Sequence, residues 1–386
     1  MTCLFARSRF RWLRGLCSLV CAVTGCCSVP ARAQDVDVNK PLQNIDEDIS
    51  AFAFAPDGSR IVFSIRRHFH TKEYDLERDD IWLQETGGKR KRLLQGEKFL
   101  RGTGPFSYMI DSFRWSPNGR LILAQLLTTS VVDEHTTQDS MMTLALEDNG
   151  KEMHLGGTDN LLKDSFEGSF FLDNATIVYL SEVVKPKVLF SFKYINTAAG
   201  PSGPVFEGRT FLDAVYVPRT NTAIGVERDH NLTGPPRLQR LELLAQDDHE
   251  LATLDGYEGG LCVSPSGKKA AYYIDKEVLE VRDLTDPSKF VRLRVGLGVA
   301  QWSPDETRIL LKRALEKKSG DLVWIEVPAL TPHKTQDKEI PVTQPTPVSI
   351  LHGLMYRDFA ISPDGRFLGI IAPGKRNLLV FALPPR

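Results

Sequence analysis

The sequence predicts an all-β fold, a β-propeller of seven four-stranded antiparallel blades, and three observations lead to this prediction. A short turn phrase, "SPDG" or a close variant, recurs between apolar runs along the 386-residue chain. It returns every 40 to 60 residues or so, roughly the period expected of propeller repeats. No long stretch has the periodicity of an amphipathic helix. Six or eight blades stay open as alternatives, because two repeats lack the turn phrase.

The turn phrase has a direct physical explanation. In "SPDG" at 362–365, Ser begins a type I turn, Pro fixes φ at the second position, Asp tolerates the third, and Gly supplies the positive φ of the exit. Alternating apolar residues on both sides make it the connector of a β-hairpin. The five clear copies begin at Ala55, Ser116, Ser264, Ser303 and Ser362.

The first repeat shows the full order of a four-stranded meander. It reads "ISAFAF", "APDG", "SRIVFSI", a polar connection, "DDIWLQE", "TGG" and "KRKRLLQ". The second repeat follows the same order, and repeats at 168–182 and 209–229 keep the rhythm without the signature turn. Three more begin near Gly259, Gly298 and Tyr356. Sheets repeated at this period bury both faces against their neighbours in a propeller.

The last repeat supplies three strands of its own, at 356–361, 366–372 and 378–383. A propeller closes its ring by pairing the two chain ends. We therefore expect the missing strand from "QDVDVNKPLQNI" at 34–45, and we expect deletion of 34–42 to lower thermal stability severely.

The first 33 residues have the features of a secretory signal. Four arginines among the first 14 residues precede the apolar stretch "LCSLVCAVTGCC", and "ARA" at 31–33 is a small-x-small cleavage site. We expect a signal at 1–33 and a single propeller domain at 34–386, in the periplasm or secreted. "VTGC" at 23–26 gives the alternative of a lipid anchor on Cys26 and attachment to the outer membrane.

Composition narrows the class of partner. Five of the six cysteines fall in the signal, so Cys262 alone is left and no disulfide framework forms. The formal net charge is −1, which favours neither nucleic acid nor anionic lipid as a partner. The basic run "GGKRKRLLQG" at 87–96 is predicted to be a solvated outer strand whose cations discourage association between sheets. We expect no membrane span in the mature chain.

The polar connection of the first repeat, at 66–80, is the most distinctive surface feature of the sequence. It mixes arginine and histidine with aromatic residues and is predicted to be a long loop that projects from one end of the propeller. The matching connection of the second repeat, at 128–139, is expected beside it. The candidate binding residues are Arg66, Arg67, His68, His70, Tyr74, Arg78, Asp133 and His135.

Metal and cofactor chemistry has weaker support. His68 and His70 share one side of an extended segment near acidic residues, which is a pattern open zinc sites use. Four cations crowd the same segment, so a solvated loop without metal or cofactor is the prediction. The inner-strand residues Arg114, Glu167, Asp213, Glu258 and Asp358 are candidates to line the central channel.

"SPDGRFLGI", "APDGSRIVF" and "DDIWLQETGGKRKRLL" resemble the repeats of TolB-like propellers. They are similar also to the propeller domain of the prolyl oligopeptidase family, the dipeptidyl peptidase IV N-terminal-like domain, whose nucleophile lies in a separate α/β-hydrolase domain. The chain has no G-x-S-x-G motif. The resemblance implies a monomeric, non-catalytic module that binds or scaffolds an envelope protein or peptide. A module serving a partner hydrolase, and a lactonase-like or metal-dependent propeller enzyme, stay open as alternatives.

Overall fold

The computed structural model describes residues 40–383 except 71–74, 86–87, 99–105, 134–135, 153–160, 164, 185–187, 197–199, 218–219, 230–232, 315–319, 334–339, 355–358 and 373. The chain divides into two units, Met1–Ala33 and Gln34–Arg386, and every described residue belongs to the second. The expected signal and Cys26 lie outside the described residues.

All regular secondary structure in the described part of the chain is β-strand. In chain order the strands are β1 (Gln43–Ile45), β2 (Ile49–Phe54), β3 (Arg60–His70), β4 (Asp75–Glu85), β5 (Arg90–Leu94), β6 (Phe106–Trp115), β7 (Leu121–Asp133), β8 (Thr136–Glu147), β9 (Leu161–Lys163), β10 (Ser165–Phe171), β11 (Thr176–Val184), β12 (Val188–Asn196), β13 (Gly200–Tyr216), β14 (Thr222–Arg228), β15 (Arg237–Glu242), β16 (Asp247–Thr253), β17 (Gly259–Val263), β18 (Lys269–Tyr273), β19 (Val278–Asp283), β20 (Lys289–Arg294), β21 (Gly298–Trp302), β22 (Arg308–Ala314), β23 (Gly320–Glu326), β24 (Thr331–Pro332), β25 (Val342–Thr343), β26 (Val348–Leu354), β27 (Phe359–Ile361), β28 (Phe367–Ile371) and β29 (Leu378–Ala382).

These strands form five sheets within the described residues. One runs β2-β3-β4-β6-β7-β8-β9 with β5 on β4, and a second runs from β10 to β16 in sequence order. The third is β17-β18-β19-β20-β24 with β25 also on β20; the others are β21-β22-β23-β26 and β1-β29-β28-β27. Neighbouring strands are antiparallel except at β4–β6 and β20–β25. The repeated meander predicted from the sequence is therefore present.

The recurrent turn is held by its serine, as the turn chemistry predicts. Ser362 Oγ donates to Asp364 Oδ1 at 2.5 Å and accepts from the Phe367 amide at 2.9 Å. The Gly365 amide donates to the Ser362 carbonyl at 2.8 Å, and Gly365 has φ +74°. Glu306 takes the glycine position of the turn at Ser303, with φ +57°. The Glu306 carboxylate accepts from Ser266 Oγ of the preceding turn at 2.9 Å.

The core lies between successive sheets rather than in one central cluster. Leu310, Trp324, Leu368 and Phe381 form one such cluster, which joins β22 and β23 to β28 and β29. Another contains Ile49, Phe63, Ile371 and Val380 and joins the first repeat to the last. Each repeat buries apolar side chains against its neighbour, as stacked propeller repeats require.

The N-terminal strand lies on the outer edge of the last repeat. β1 pairs antiparallel with β29, with Gln43 opposite Val380 and Ile45 opposite Leu378. These residues lie inside the stretch 34–45 in which the sequence predicts a closing strand.

Three consecutive acidic residues then follow β1. Asp46 lies 3.7 Å from Lys375, Asp48 lies 3.0 Å from Arg376, and Glu47 contacts Arg67 and Arg90 at 3.5 and 3.3 Å.

The connection at 66–80 is not the loop that the sequence predicts. β3 and β4 run on as a paired hairpin to His70 and Asp75, and β7 and β8 do the same to Asp133 and Thr136. Acidic residues of β4 face Arg66, His68 and His70 of β3, so these polar side chains find partners within a regular ladder. The polarity that suggested a loop is accommodated by cross-strand pairing.

Candidate binding surface

The extended hairpins of the first two repeats join into one continuous sheet. We call the part of this sheet formed by residues 66–70, 75–80, 106–110, 126–133 and 136–141 the projecting sheet. β2 pairs with β3 only as far as Ile65, so the next five residues of β3 reach beyond the inner strand. The hairpins β18–β19 and β28–β29 have strands of only five or six residues, against 11 for β3 and 13 for β7.

Hydrogen bonds between β4 and β6 fix the two hairpins to each other. Arg78 Nε donates to the Phe106 carbonyl at 3.0 Å, and the Glu77 amide donates to Ser107 Oγ at 3.0 Å. Tyr108 OH donates to the Asp79 carbonyl at 2.8 Å. The projecting sheet is thus braced across the boundary between repeats, unlike a pair of independent loops.

One face of the β3–β4 hairpin carries a ladder of acid–base pairs. Arg66, His68 and His70 lie opposite Asp79, Glu77 and Asp75. The shortest ion-pair distances along this ladder are 3.1 Å for Arg66–Glu77, 3.3 Å for His68–Glu77 and 2.7 Å for His70–Asp75.

The predicted site residues separate into two groups in the structure. Arg66, Arg67 and Arg78 contact partners within the chain, and the Arg78 guanidinium lies buried 4.7 Å from the centroid of the Phe106 ring. The His68 and His70 side chains are 61% and 79% exposed. Among the predicted site residues whose side chains are described, these two rings are therefore the most exposed.

Three predicted residues cannot be placed as side chains. Asp133 ends β7, and nothing is described of its side chain. Tyr74 and His135 lie outside the described residues. Whether any of the eight candidates contacts a partner stays a prediction.

A buried carboxylate supports the base of the projecting sheet. Asp79 is fully buried; its Oδ2 accepts from the Ile110 amide at 2.7 Å and its Oδ1 from Arg66 Nε at 3.3 Å. Burial raises the pKa of the Asp79 carboxyl and outweighs the nearby Arg66 guanidinium, which lowers it. The folded protein therefore holds this proton more tightly than the unfolded chain does.

The sign of the pH dependence follows from that raised pKa. Asp79 contributes stability below its ordinary pKa of 3.8, and this contribution is lost as pH rises through the raised value. Because Asp79→Asn removes the titration, we expect the stability difference to shift in favour of the variant as pH rises from about 3 to about 7. Urea unfolding at a series of pH values measures it.

Asp57→Asn provides the matched control with the opposite sign. Hydrogen bonds from Ser59 lower the pKa of Asp57, so its contribution is present above 3.8 and lost as pH falls. A difference between Asp79→Asn and the wild type that does not change with pH would contradict the assignment at Asp79.

The inner-strand candidates occupy a second polar region. Asp213 Oδ2 accepts from Tyr257 OH at 2.6 Å and from the Leu261 amide at 3.3 Å, and burial raises the pKa of its carboxyl. Burial also raises the pKa of the nearby Cys262 thiol to about 12, which leaves it protonated. Arg114 is exposed, and its Nη1 donates to the Phe113 carbonyl at 3.1 Å.

The remaining inner-strand candidates are less informative. Glu258 is exposed, whereas the Glu167 side chain and the whole of Asp358 are outside what the structure describes. Tyr257, the partner of Asp213, was not among the predicted residues. It lies 44 positions away, and no feature of either local sequence links the two.

Neither a metal-binding cluster nor a membrane-spanning helix is found in the described part of the chain. No group of three or more His, Cys, Asp or Glu side chains among them is placed to hold a metal ion. In the same part of the chain, no helix has the length and hydropathy of a membrane span.

Solved structures share this arrangement of sheets, although no family model and no curated protein sequence matches the chain. A chain of the mitotic checkpoint complex aligns with a TM-score of 0.56 at 11% identity, over 97% of this chain and 99% of that chain. The WD40 repeats of RRP9 align with a TM-score of 0.52 at 9% identity, over 91% and 99%. The protein folds as a β-propeller.

The comparison fixes the fold and not the family. TolB from Acinetobacter baumannii also aligns, with a TM-score of 0.43 at 14% identity over 70% of this chain and 62% of that chain. That TM-score is too low to support a conclusion about this chain. The propeller predicted from the repeats is confirmed, while the finer resemblance to TolB-like or peptidase propellers stays a hypothesis.

Proposed function

We propose that the protein is an exported, non-catalytic, seven-bladed propeller that binds a partner protein in the bacterial envelope. The observation that carries the binding role is the projecting sheet. It is confined to the first two blades, it is braced by inter-blade hydrogen bonds, and it presents exposed rings at His68 and His70. Rigid, asymmetric projections on a scaffold are where binding residues concentrate.

Seven blades account for the strands when two sheets are each divided into two blades. The sheet from β2 to β9 then holds two blades of four strands, and the sheet from β10 to β16 holds two more that share β13. The blade starting with β27 takes its fourth strand from β1. This grouping supports the blade count and the closing role of the N-terminal strand.

Contacts between the turns that follow the inner strands support a closed ring. Each turn touches the next: Arg60 bonds to Gly119, Asn118 to Asn174, Tyr216 to Leu172, and Ser266 to Glu306, while Gly267 packs against Val217 and Gly365 against Pro304. The last contact returns to the first blade, because a Cβ added at Gly58 would overlap the Asp364 carboxylate.

Export rests on the sequence of the first 33 residues, with its basic start, apolar stretch and "ARA" site. A protein-binding role agrees with the fold, since the mitotic checkpoint complex that contains one structural neighbour is a multiprotein assembly. Cleavage after Ala33 and lipid attachment at Cys26 are distinguished by the mass of the mature protein and by its release from membranes at high salt.

The binding role is tested by affinity capture from an envelope extract with the mature protein. His68→Ala/His70→Ala/Tyr74→Ala removes the two exposed histidine rings and the predicted site residue Tyr74. It keeps Arg66 and Arg67 in their ion pairs and Arg78 on the Phe106 carbonyl. We expect recovery of the partner to fall at least about tenfold, the scale of a lost interface anchor. His249→Ala, on a 59% exposed ring of β16, should leave recovery unchanged.

Two outcomes would contradict the proposal. Equal recovery by the triple variant and by His249→Ala would remove the projecting sheet from the binding surface. Turnover of an ester or lactone panel, with nothing captured, would replace the binding role with an enzymatic one.

A further inference from the structure

The outer edge of the first blade has an unpaired backbone. β5 pairs only with β4 within the described residues, so its second edge is open. The corresponding strand of the fifth blade, β20, is instead covered by the short strands β24 and β25. An open edge offers amide and carbonyl groups to an incoming strand.

Four consecutive cations, Lys89 to Arg92, lie exposed along this edge. Arg90 and Arg92 are held in position, because their guanidinium carbons lie 5.0 and 5.6 Å from the centroid of the Trp82 ring. Arg90 also contacts Glu47 at 3.3 Å, and Arg92 contacts Asp80 at 3.7 Å. The arrangement differs from a row of freely solvated lysines.

The side chains around β5 carry more positive than negative charge. Arg67 contacts the same two carboxylates, Glu47 and Asp80, so three guanidinium groups share two negative charges. Lys89 has no ion pair within the described residues, and Lys91 Nζ donates to the Asn149 carbonyl at 2.8 Å. The three arginines and two lysines, together with the carboxylates of Glu47 and Asp80, carry an excess of three positive charges. This excess favours encounter with an acidic partner.

Cations on an edge strand normally keep identical edges apart. The same cations attract a strand with acidic side chains instead of repelling it. We propose that β5 is a second docking edge, which binds an acidic extended segment of a partner protein by strand addition. The segment's backbone pairs with the open edge of β5, and its carboxylates lie against Lys89 and Lys91.

The chain itself contains a suitable probe for this edge. β16 is an acidic outer strand of sequence "DDHELAT", with its first four residues exposed. A labelled peptide of residues 246–254 carries the charge and strand pattern that the proposal requires. Its binding to the mature protein is measured by fluorescence anisotropy, and hydrogen exchange of residues 89–94 reports pairing with β5.

We expect the peptide to bind and to slow exchange in β5. Raising the salt from about 0.05 M to about 0.5 M should weaken binding roughly tenfold, because exposed charges are screened. Lys89→Gln/Lys91→Gln should weaken binding at least about fivefold, as loss of two rim charges does. Lys268→Gln/Lys276→Gln, which removes two exposed lysines from the fifth blade, should have no effect.

Three results would overturn the proposal. Equal binding by the Lys89/Lys91 and Lys268/Lys276 variants would remove β5 from the site. Unchanged binding of a peptide N-methylated at alternate residues would rule out strand addition. Self-association in sedimentation velocity that is lost in Asp247→Asn/Asp248→Asn/Glu250→Gln would make a second copy of this chain the occupant.

This edge adjoins the projecting sheet through Arg67 and Asp80, but the two proposals are tested by different substitutions. The variants of Lys89 and Lys91 leave His68, His70 and Tyr74 intact, and the hairpin variant leaves β5 intact. Failure of one test therefore leaves the other proposal standing.

Discussion

We expect truncation of the mature chain so that it begins at Asp46 to lower its melting temperature by roughly 5 °C. The truncation removes β1, and with it the Ile45 side chain, which is 5% exposed and packs with Ile371 and Leu378. Loss of one buried aliphatic side chain costs about 2 to 5 kcal/mol. In a domain of this size, which is larger than 250 residues, each kcal/mol corresponds to roughly 1 to 2 °C. Differential scanning calorimetry measures the change.

A chain that begins at Gln43 is the matched control. It lacks residues 34–42 but keeps every paired residue of β1, and Leu42 is 56% exposed. We expect a shift within about 2 °C, the size of a surface change. The sequence predicts a severe loss of thermal stability on deletion of 34–42. The observed register instead assigns that loss to Gln43–Ile45, the residues that pair with β29. Equal melting temperatures for both truncated chains would show that β1 does not hold the ring.

The second large effect is expected at a buried carboxylate of β19. Glu280 is 1% exposed and accepts hydrogen bonds from Tyr272 OH at 2.5 Å and from Arg292 Nε at 3.0 Å. Arg282, itself buried, donates to the same carboxylate from Nε at 3.0 Å and from Nη2 at 2.5 Å. One acidic group thus compensates two arginines.

Glu280→Ala leaves the buried Arg282 without a carboxylate and Arg292 with Asp255 as its remaining acidic partner. Breaking a buried ion pair by removing one partner costs about 3 to 5 kcal/mol, because a buried charge is left uncompensated. We expect the urea midpoint to fall accordingly. Glu277→Ala, which removes a 66% exposed partner of Arg294, should change stability by no more than about 0.5 kcal/mol. A similar loss in both variants would contradict the dependence on burial.

Local sequence predicts the hairpins of this propeller well, because the turn chemistry is contained in four residues. Ser362, Asp364 and Gly365 adopt the roles expected of them. Glu306 shows the limit of that reasoning, since it occupies the glycine position with a positive φ. Its compensation is a contact with Ser266, 40 residues away and invisible in the local pattern.

The candidate surface was harder to predict, because it too depends on contacts between residues far apart in the sequence. Residues 66–80 look like a loop because they are polar, and only the register of β3 on β4 reveals that His68 faces Glu77. Arg66 and Arg78 looked available to a partner, but their contacts come from β4 and β6, on other segments of the chain. Side-chain availability depends on such long-range contacts, which a single sequence does not contain.

The 17-residue strand β13 has a consequence for where the chain tolerates a cut. Its Arg209 pairs with Phe190 of β12, and its next residue, Thr210, pairs with Arg228 of β14. The connection 254–258, between β16 and β17, lies outside any strand. A cut after Arg209 would therefore interrupt one strand between its two ladders, whereas a cut at 254–258 would interrupt no strand. We expect a circular permutant opened after Arg209 to be less stable than one opened at 254–258.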